Sequence, residues 1–423
     1  MSKSVLVIGA GASGMAAAIA AAREGASVTL LEQNDRPGRK LAATGNGRCN
    51  FTNMNMSPAF FRGEHPDFVK PALNDFQAAD AVRFFSSLGI YSISRNGYMY
   101  PSCGQAQSVV DVLVMELRHL GVKLKTNEQI LRIEAPSGDK DSGFSVHTNS
   151  YTYSADAVIL ACGSAASSIA GSGTGGYELA RQTGHRVITP LPALTALKCS
   201  GECRLSWAGV RVDGKLTLAV TDLSGNKTVY TERGELQLTD YGISGIPVFN
   251  LSRFAVRALE EKQKARAVLD FLPDFSDDDT FSFLQERRKN CPYKSSKEFL
   301  IGLFPEKLIP VLLTYTDKMA GKDAPAEEYL KVLSESIKRF PLTVQGGLSF
   351  THAQVCQGGV DTCAVNPDTM ESRKLPGLFF CGELLDVDGP CGGYNLQWAW
   401  ASGMMAGRQA ARQLSRFPAS QEC

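Results

Sequence analysis

The chain is predicted to be an α/β protein, with a parallel-sheet domain assembled from both ends and interrupted by a part that is first β-rich and then helical. Three observations carry this. Val5-Leu6-Val7-Ile8 runs into Gly9-Ala10-Gly11-Ala12-Ser13-Gly14, then an Ala-rich segment, then Ser27-Val28-Thr29-Leu30-Leu31-Glu32: strand, glycine turn, helix and second strand. Beyond Pro190 the texture changes to short alternating strands with Gly and Asn turns, followed by a charged helical stretch over 276–340. From Leu375 the α/β texture returns and closes with a helix over 394–415.

The glycine turn has the G-x-G-x-x-G spacing of a dinucleotide fingerprint. Gly9 permits the tight turn, Gly11 lets the backbone approach a pyrophosphate, and Gly14 lets the helix pack on the strand. Ala12 and Ser13 head the helix, where free N–H groups and the helix dipole favour an anion. Glu32 lies 18 residues after Gly14, close to the usual spacing of about 20, and is expected with Gln33 to hold the ribose. A rival reading takes the mostly apolar residues 4–22 as a signal peptide or membrane helix. Glycines at fingerprint spacing and a lone Lys3 without a basic n-region argue against it. The chain therefore reads as soluble, with no membrane partner.

A length of 423 residues suggests two or three domains. A net charge of +1 favours neither nucleic acid nor a membrane surface. Eleven cysteines show no framework spacing, and the close pair Cys199 and Cys203 has no accompanying histidine, so no metal is expected. The odd cysteine count and free-thiol pattern point to a reducing cytoplasm.

Along the first third, a loop of special composition over 36–53 precedes helices near 75–88 and 105–120 and a strand over 122–126. Residues 129–160 read as short strands with a turn at Pro136-Ser137-Gly138-Asp139, ending in the buried strand Ala157-Val158-Ile159-Leu160-Ala161. Turns are expected at Val212-Asp213-Gly214-Lys215 and Leu223-Ser224-Gly225-Asn226, and Asp277-Asp278-Asp279 reads as a helix start. The expected domains are 1–190 with 346–423, a β-rich substrate domain over 191–275 and a helical subdomain over 276–345.

The first motif alone does not separate NAD from FAD. Ala157 to Gly163 is similar to the apolar strand and A-T-G turn of two-dinucleotide-fold flavoproteins, with Cys162 in the threonine position. Gly377 to Glu383 resembles their later strand ending in Gly-Asp, here Gly382-Glu383, whose acid binds the ribityl chain. Arg36-Pro37-Gly38-Arg39-Lys40-Leu41 with Thr44-Gly45-Asn46-Gly47-Arg48-Cys49-Asn50 stands where such proteins wrap the adenosine and pyrophosphate. The resemblance implies FAD, with Arg39, Lys40, Leu41, Asn46, Gly47, Cys49, Asn50, Ala161, Gly163, Gly382 and Glu383 as binding residues.

These motifs, with Met370-Glu371-Ser372-Arg373, Gly382 to Gly389 and Gly392 to Gly403, together resemble the bacterial HI0933-like flavoprotein family across essentially the whole chain. That family includes a bile-acid reductase of gut clostridia and a 23S ribosomal-RNA dihydrouridine synthase. The resemblance implies a Rossmann-like FAD domain with an inserted antiparallel β-barrel and a small helical domain.

Gly392-Gly393-Tyr394-Asn395 opens the last helix, and its N–H groups are placed to face the flavin edge that gains negative charge on reduction. Trp398 and Trp400 read as core. Gly171 to Gly176 precedes a helix but lacks a following strand with a terminal acid, so it reads as a loop near the flavin rather than a second nucleotide fold. Two thiols are candidate proton donors or redox partners: Cys49, whose pKa could fall beside Arg48, and Cys391, beside the flavin-edge turn. The competing reading of either is a small buried hydrophobe; Tyr98 and Tyr100 are further acid candidates.

The mechanism that fits has NAD(P)H as transient co-substrate reducing FAD, which reduces a conjugated C=C bond. A small-molecule acceptor such as a 3-oxo-Δ4 bile acid is the leading reading. The alternative is uridine in ribosomal RNA, for which Arg287-Arg288-Lys289 with Lys294 and Lys297 would form a basic patch. A flavin-binding redox sensor is the non-enzymatic alternative.

Overall fold

In a computed structural model, residues 4–136, 143–169, 172–200, 206–321 and 323–416 are described. The expected turn beyond Pro136, Gly171 and Cys203 lie outside them. The chain divides into two compact units, one running to Pro190 and resuming at Val355, the other spanning Leu191–Gln354.

The first unit is built on a five-stranded parallel sheet in the order Leu378–Phe380, Ala157–Leu160, Ser4–Ile8, Ser27–Leu31, Lys123–Lys125. The first strand stands centrally, Val7 pairing with Ile159 on one side and Leu30 on the other. Val7, Leu30, Ile159, Leu160 and Phe379 have no exposed surface. This is why the strands read as continuous apolar runs: a parallel sheet is covered on both faces. No helix among the described residues is long and apolar enough to cross a membrane. The segment open to that reading is instead a strand, the glycine turn and the helix Ala12–Arg23.

The fingerprint helix packs along the C-terminal helix Tyr394–Arg416. Small residues make the approach close, since a Cβ at Gly403 would lie 2.4 Å from the Ser13 carbonyl oxygen and one at Gly407 2.1 Å from that of Ala17. Trp398 and Trp400 are fully buried, as a core reading requires. Their indole N–H groups donate to the carbonyls of Gly382 (3.1 Å) and Phe51 (2.9 Å), satisfying the polar tip of each ring.

The local reading is corrected at several places. The 36–53 loop contains the helix Arg39–Gly47, broken inside by Thr44, Gly45 and Asn46. The helix expected near 75–88 is present as Ala78–Ser87, and a separate short helix, Lys70–Asp75, precedes it. The break is held by Asp80, whose carboxylate accepts the Gln77 N–H at 2.8 Å.

The second unit contains a closed antiparallel barrel of six strands, in the order Leu197–Ser200, Gly242–Ser244, Lys227–Leu238, Val210–Thr221, Lys264–Asp270, Phe340–Gly347. Val212 to Lys215 is not a turn; it runs through the strand Val210–Thr221. Gly214 is there for space, because a Cβ would lie 2.8 Å from Leu236 and 2.9 Å from the Asp270 carbonyl oxygen. The Leu223 to Asn226 turn does join two strands, and Asp222 Oδ1 accepts the N–H groups of Ser224 (2.9 Å) and Asn226 (2.8 Å). Within the expected β-rich stretch 191–275, the chain also forms the helix Ile246–Glu260, which packs on the barrel.

Helices Asp277–Asn290, Ser296–Leu300, Ile309–Ala320 and Ala326–Lys338 form the helical part. The first does start at Asp277, with the Ser276 hydroxyl accepting the Asp279 N–H at 3.1 Å. This part ends before residue 345, because Phe340–Gly347 returns as the sixth barrel strand.

Candidate functional site

The parallel strands end in a cleft that holds a cavity of about 300 Å³, partly open to solvent. This is the position at which open α/β sheets bind ligands. Its floor is the turn Gly9–Gly11. Gly9 has φ +102°, and a Cβ there would lie 2.6 Å from the Ala161 carbonyl oxygen; one at Gly14 would lie 1.8 Å from that of Gly9. Gly11 differs: a Cβ at Gly11 would meet nothing within 4 Å, so the backbone faces open space over the helix N-terminus. No side chain caps that helix end, and its first turn carries no acid. The arrangement suits a diphosphate.

Gly9, Gly11, Ala12, Ser13, Glu32, Gln33, Arg39, Lys40, Leu41, Ala161, Gly163 and Glu383 all line this one cavity. Glu32 is 7% exposed. Its Oε2 accepts the Ala10 N–H at 2.8 Å, and Oε1 accepts from the Asn34 backbone (2.9 Å) and side chain (2.7 Å). Elsewhere on the lining, Lys40 Nζ donates to Glu383 Oε2 at 2.6 Å, and the Ser164 hydroxyl donates to the same oxygen at 3.0 Å. Ser172, Gly173, Gly175 and Gly176 line the same space, so this second glycine-rich segment belongs to the first site.

The remaining candidates lie apart from that lining. Gly14 sits beneath Gly9, and Gly382 packs on Ser13, whose hydroxyl a Cβ would meet at 2.4 Å. Asn46 and Gly47 are exposed. Gly392, Gly393 and Tyr394 gather against residues 50–55. The Asn53 side chain donates to the Gly392 carbonyl at 2.9 Å, Tyr394 donates to that of Asn55 at 3.3 Å, and Asn395 bonds both backbone groups of Gly389. Asn50 Oδ1 is buried without a partner, 3.0 Å from where a Gly393 Cβ would stand. A buried acceptor left open beside two glycines suits a ligand donor group. Leu396 and Ala399, on the first turns of the same helix, line the fingerprint cavity.

Cys49 corrects the expectation of a lowered pKa. The thiol has no exposed surface, and burial pushes it from an ordinary 9.0 to about 12, offset only in part by a hydrogen bond from Thr44. Arg48 is exposed and does not counter this. Cys391 is partly buried and carries no disulfide.

Within the expected basic patch, Arg287 and Arg288 also have partners inside the helical part, while Lys289 and Lys297 are exposed. Arg287 donates to the carbonyls of Phe299 (2.8 Å) and Ile301 (2.7 Å), and Arg288 to that of Lys294 (2.9 Å). Both guanidinium groups also lie over the Phe299 ring, at 5.7 and 4.2 Å. They staple the helical part together internally.

Sequence reasoning missed Glu128, Gln129 and Ile130, which close one side of the cavity. Glu128 sits there because its N–H donates to the Glu32 carbonyl at 2.9 Å and its carboxylate accepts the Thr148 hydroxyl at 2.6 Å. No motif marks it.

The model of the HI0933-like protein Rossmann domain matches residues 3–409. The chain is 44% identical over 413 residues to a 3-dehydro-bile acid delta(4,6)-reductase of Clostridium scindens, covering 96% of this chain and 98% of that protein. It is 30% identical to a ribosomal RNA dihydrouridine synthase of Haemophilus influenzae, covering 96% and 98%. To a ribosomal RNA dihydrouridine synthase of Escherichia coli it is 31% identical, covering 94% and 95%.

Proposed function

The chain belongs to the HI0933-like family, and from that premise we propose that it binds FAD and reduces an activated C=C bond of a small conjugated carbonyl compound, a 3-oxo-Δ4 bile acid or similar enone. The observation that carries this is the 44% identity, over 96% of the chain, to a bile-acid reductase. Bound FAD would supply hydride transfer, taking electrons from NAD(P)H and delivering them to an electron-poor carbon.

The chain's own residues do the rest. Glu32 would hold the ribose, and its charge disfavours a 2′-phosphate in the same place. Gly11 and the bare helix end would take the diphosphate, and Glu383, oriented by Lys40 and Ser164, the ribityl hydroxyls. The N–H groups after Gly392-Gly393 would face the ring edge where negative charge develops, with Asn50 Oδ1 accepting from a ring N–H. Burial leaves Cys49 neutral and packed, so Cys391, at the same turn, is the thiol assigned to protonate the product.

A second reading, reduction of uridine in ribosomal RNA, is favoured by the two relatives at 30% and 31% identity. The bond chemistry is the same: a C=C conjugated to a carbonyl. To separate the readings, NADH or NADPH is added anaerobically to the purified protein and flavin absorbance is followed as a 3-oxo-Δ4 bile acid or an unmodified 23S RNA fragment is introduced. Reoxidation by the bile acid alone supports the first reading, and reoxidation by the RNA alone the second. Failure of both overturns these two acceptor readings, and a colourless protein overturns FAD.

A further inference from the structure

We propose that His65, Asp361 and Cys363 form a binding site for a divalent cation of zinc's chemical class, separate from the fingerprint cavity. None of the three lines that cavity. Each offers one ligand atom, and these atoms lie within 4.8 Å of one another. His65 Nε2 is 2.8 Å from Cys363 Sγ and 3.8 Å from Asp361 Oδ1. Ordinary zinc–nitrogen and zinc–sulfur lengths in a tetrahedron set those two ligand atoms about 3.6 Å apart. The His65–Cys363 edge therefore needs to open by less than an ångström, and both residues are exposed. Imidazole, thiolate and carboxylate together suit a borderline transition cation; calcium and magnesium take oxygen shells.

Asp361 is already oriented. Its Oδ1 accepts the Cys363 N–H at 2.9 Å, and Arg186 engages its Oδ2 at 3.3 Å. Such outer contacts fix a ligand's direction in metal sites. The charges also balance: thiolate and carboxylate offset a divalent ion, while Arg186 is matched by Glu64 at 3.5 Å. The exposed side leaves the fourth position to water. An ion here would clip together segments 298 positions apart, in the manner of a cross-link closing a long loop.

The test uses the full chain, reduced, stripped of metal and desalted, with zinc alone as the probe. Equilibrium dialysis should load one zinc per chain, and zinc-edge absorption should show a single sulfur ligand. Cys363→Ser should remove that sulfur signal, and His65→Asn should weaken uptake by more than about tenfold. Both positions are exposed, and circular dichroism checks that each variant is folded. Cys103→Ser, which removes another exposed thiol, should change nothing. No stoichiometric uptake, or uptake that survives both Cys363→Ser and His65→Asn, would overturn the site.

Discussion

Lys40 Nζ lies 2.6 Å from Glu383 Oε2, joining residues 343 positions apart on the wall of the fingerprint cavity. With Ser164 donating to the same oxygen at 3.0 Å, two of the carboxylate's roughly four acceptor sites are taken. On the proposed reading, the rest would accept from ligand hydroxyls.

Glu383→Ala should therefore weaken FAD binding by about tenfold to a hundredfold, the worth of one charged hydrogen bond. The flavin-to-protein absorbance ratio after gel filtration, and titration of the apoprotein, measure it. Wild-type retention would remove Glu383 from the cofactor site.

Glu32→Ala should lose FAD and also lower stability. The substitution strips a partner from the buried Ala10 N–H as well as from Asn34, and an unsatisfied buried donor costs about 1–3 kcal/mol. A fall in melting temperature of the apoprotein separates that cost from the lost ribose contact.

Gly407→Ala should destabilise the fold without touching the cofactor site. Its Cβ would enter to 2.1 Å of the Ala17 carbonyl oxygen, and the two helices would have to separate. Overpacking of this kind costs about 1–3 kcal/mol. Below the transition the protein should still hold flavin in a one-to-one ratio; lost flavin with unchanged melting would contradict the assignment.

Cys49 makes stability depend on alkaline pH. Its folded thiol titrates at about 12 against an ordinary 9.0, so the unfolded chain releases the proton first as pH rises. The contribution is fully present below pH 9 and is lost between about 9 and 12. Cys381, buried and likewise raised to about 12, acts in the same window. Cys49→Ala should flatten part of the fall in melting temperature across pH 9–11. It should also leave both flavin reduction and acceptor reduction near wild type; a selective loss of about 10²-fold or more in acceptor reduction would restore it as the proton donor.

The fingerprint, the buried strand at 157–161, the helix opening at Tyr394 and the core roles of Trp398 and Trp400 were legible in the sequence. Each is encoded locally, by glycine spacing, by an uninterrupted apolar run or by helical period, and local signals survive without knowledge of the fold. Glycine was the ambiguous letter. At Gly225 it marks a turn, whereas at Gly214 it makes room for Leu236 and Asp270 inside a strand. Only the neighbours across the barrel distinguish the two.

What the tertiary structure alone decided is which distant side chains meet and what each one's surroundings do to it. Strand order brings Glu383 to Lys40 and Glu128 to Glu32, and places His65 beside Cys363; no spacing along the chain records those distances. Burial turned Cys49 from a candidate reactive thiol into a neutral packed one. Backbone carbonyls engage Arg287 and Arg288, contacts that composition does not record. The physical reason is common to all of these cases. Residue type sets what a group can do, but solvation and partners set what it does, and both are fixed only when the segments pack.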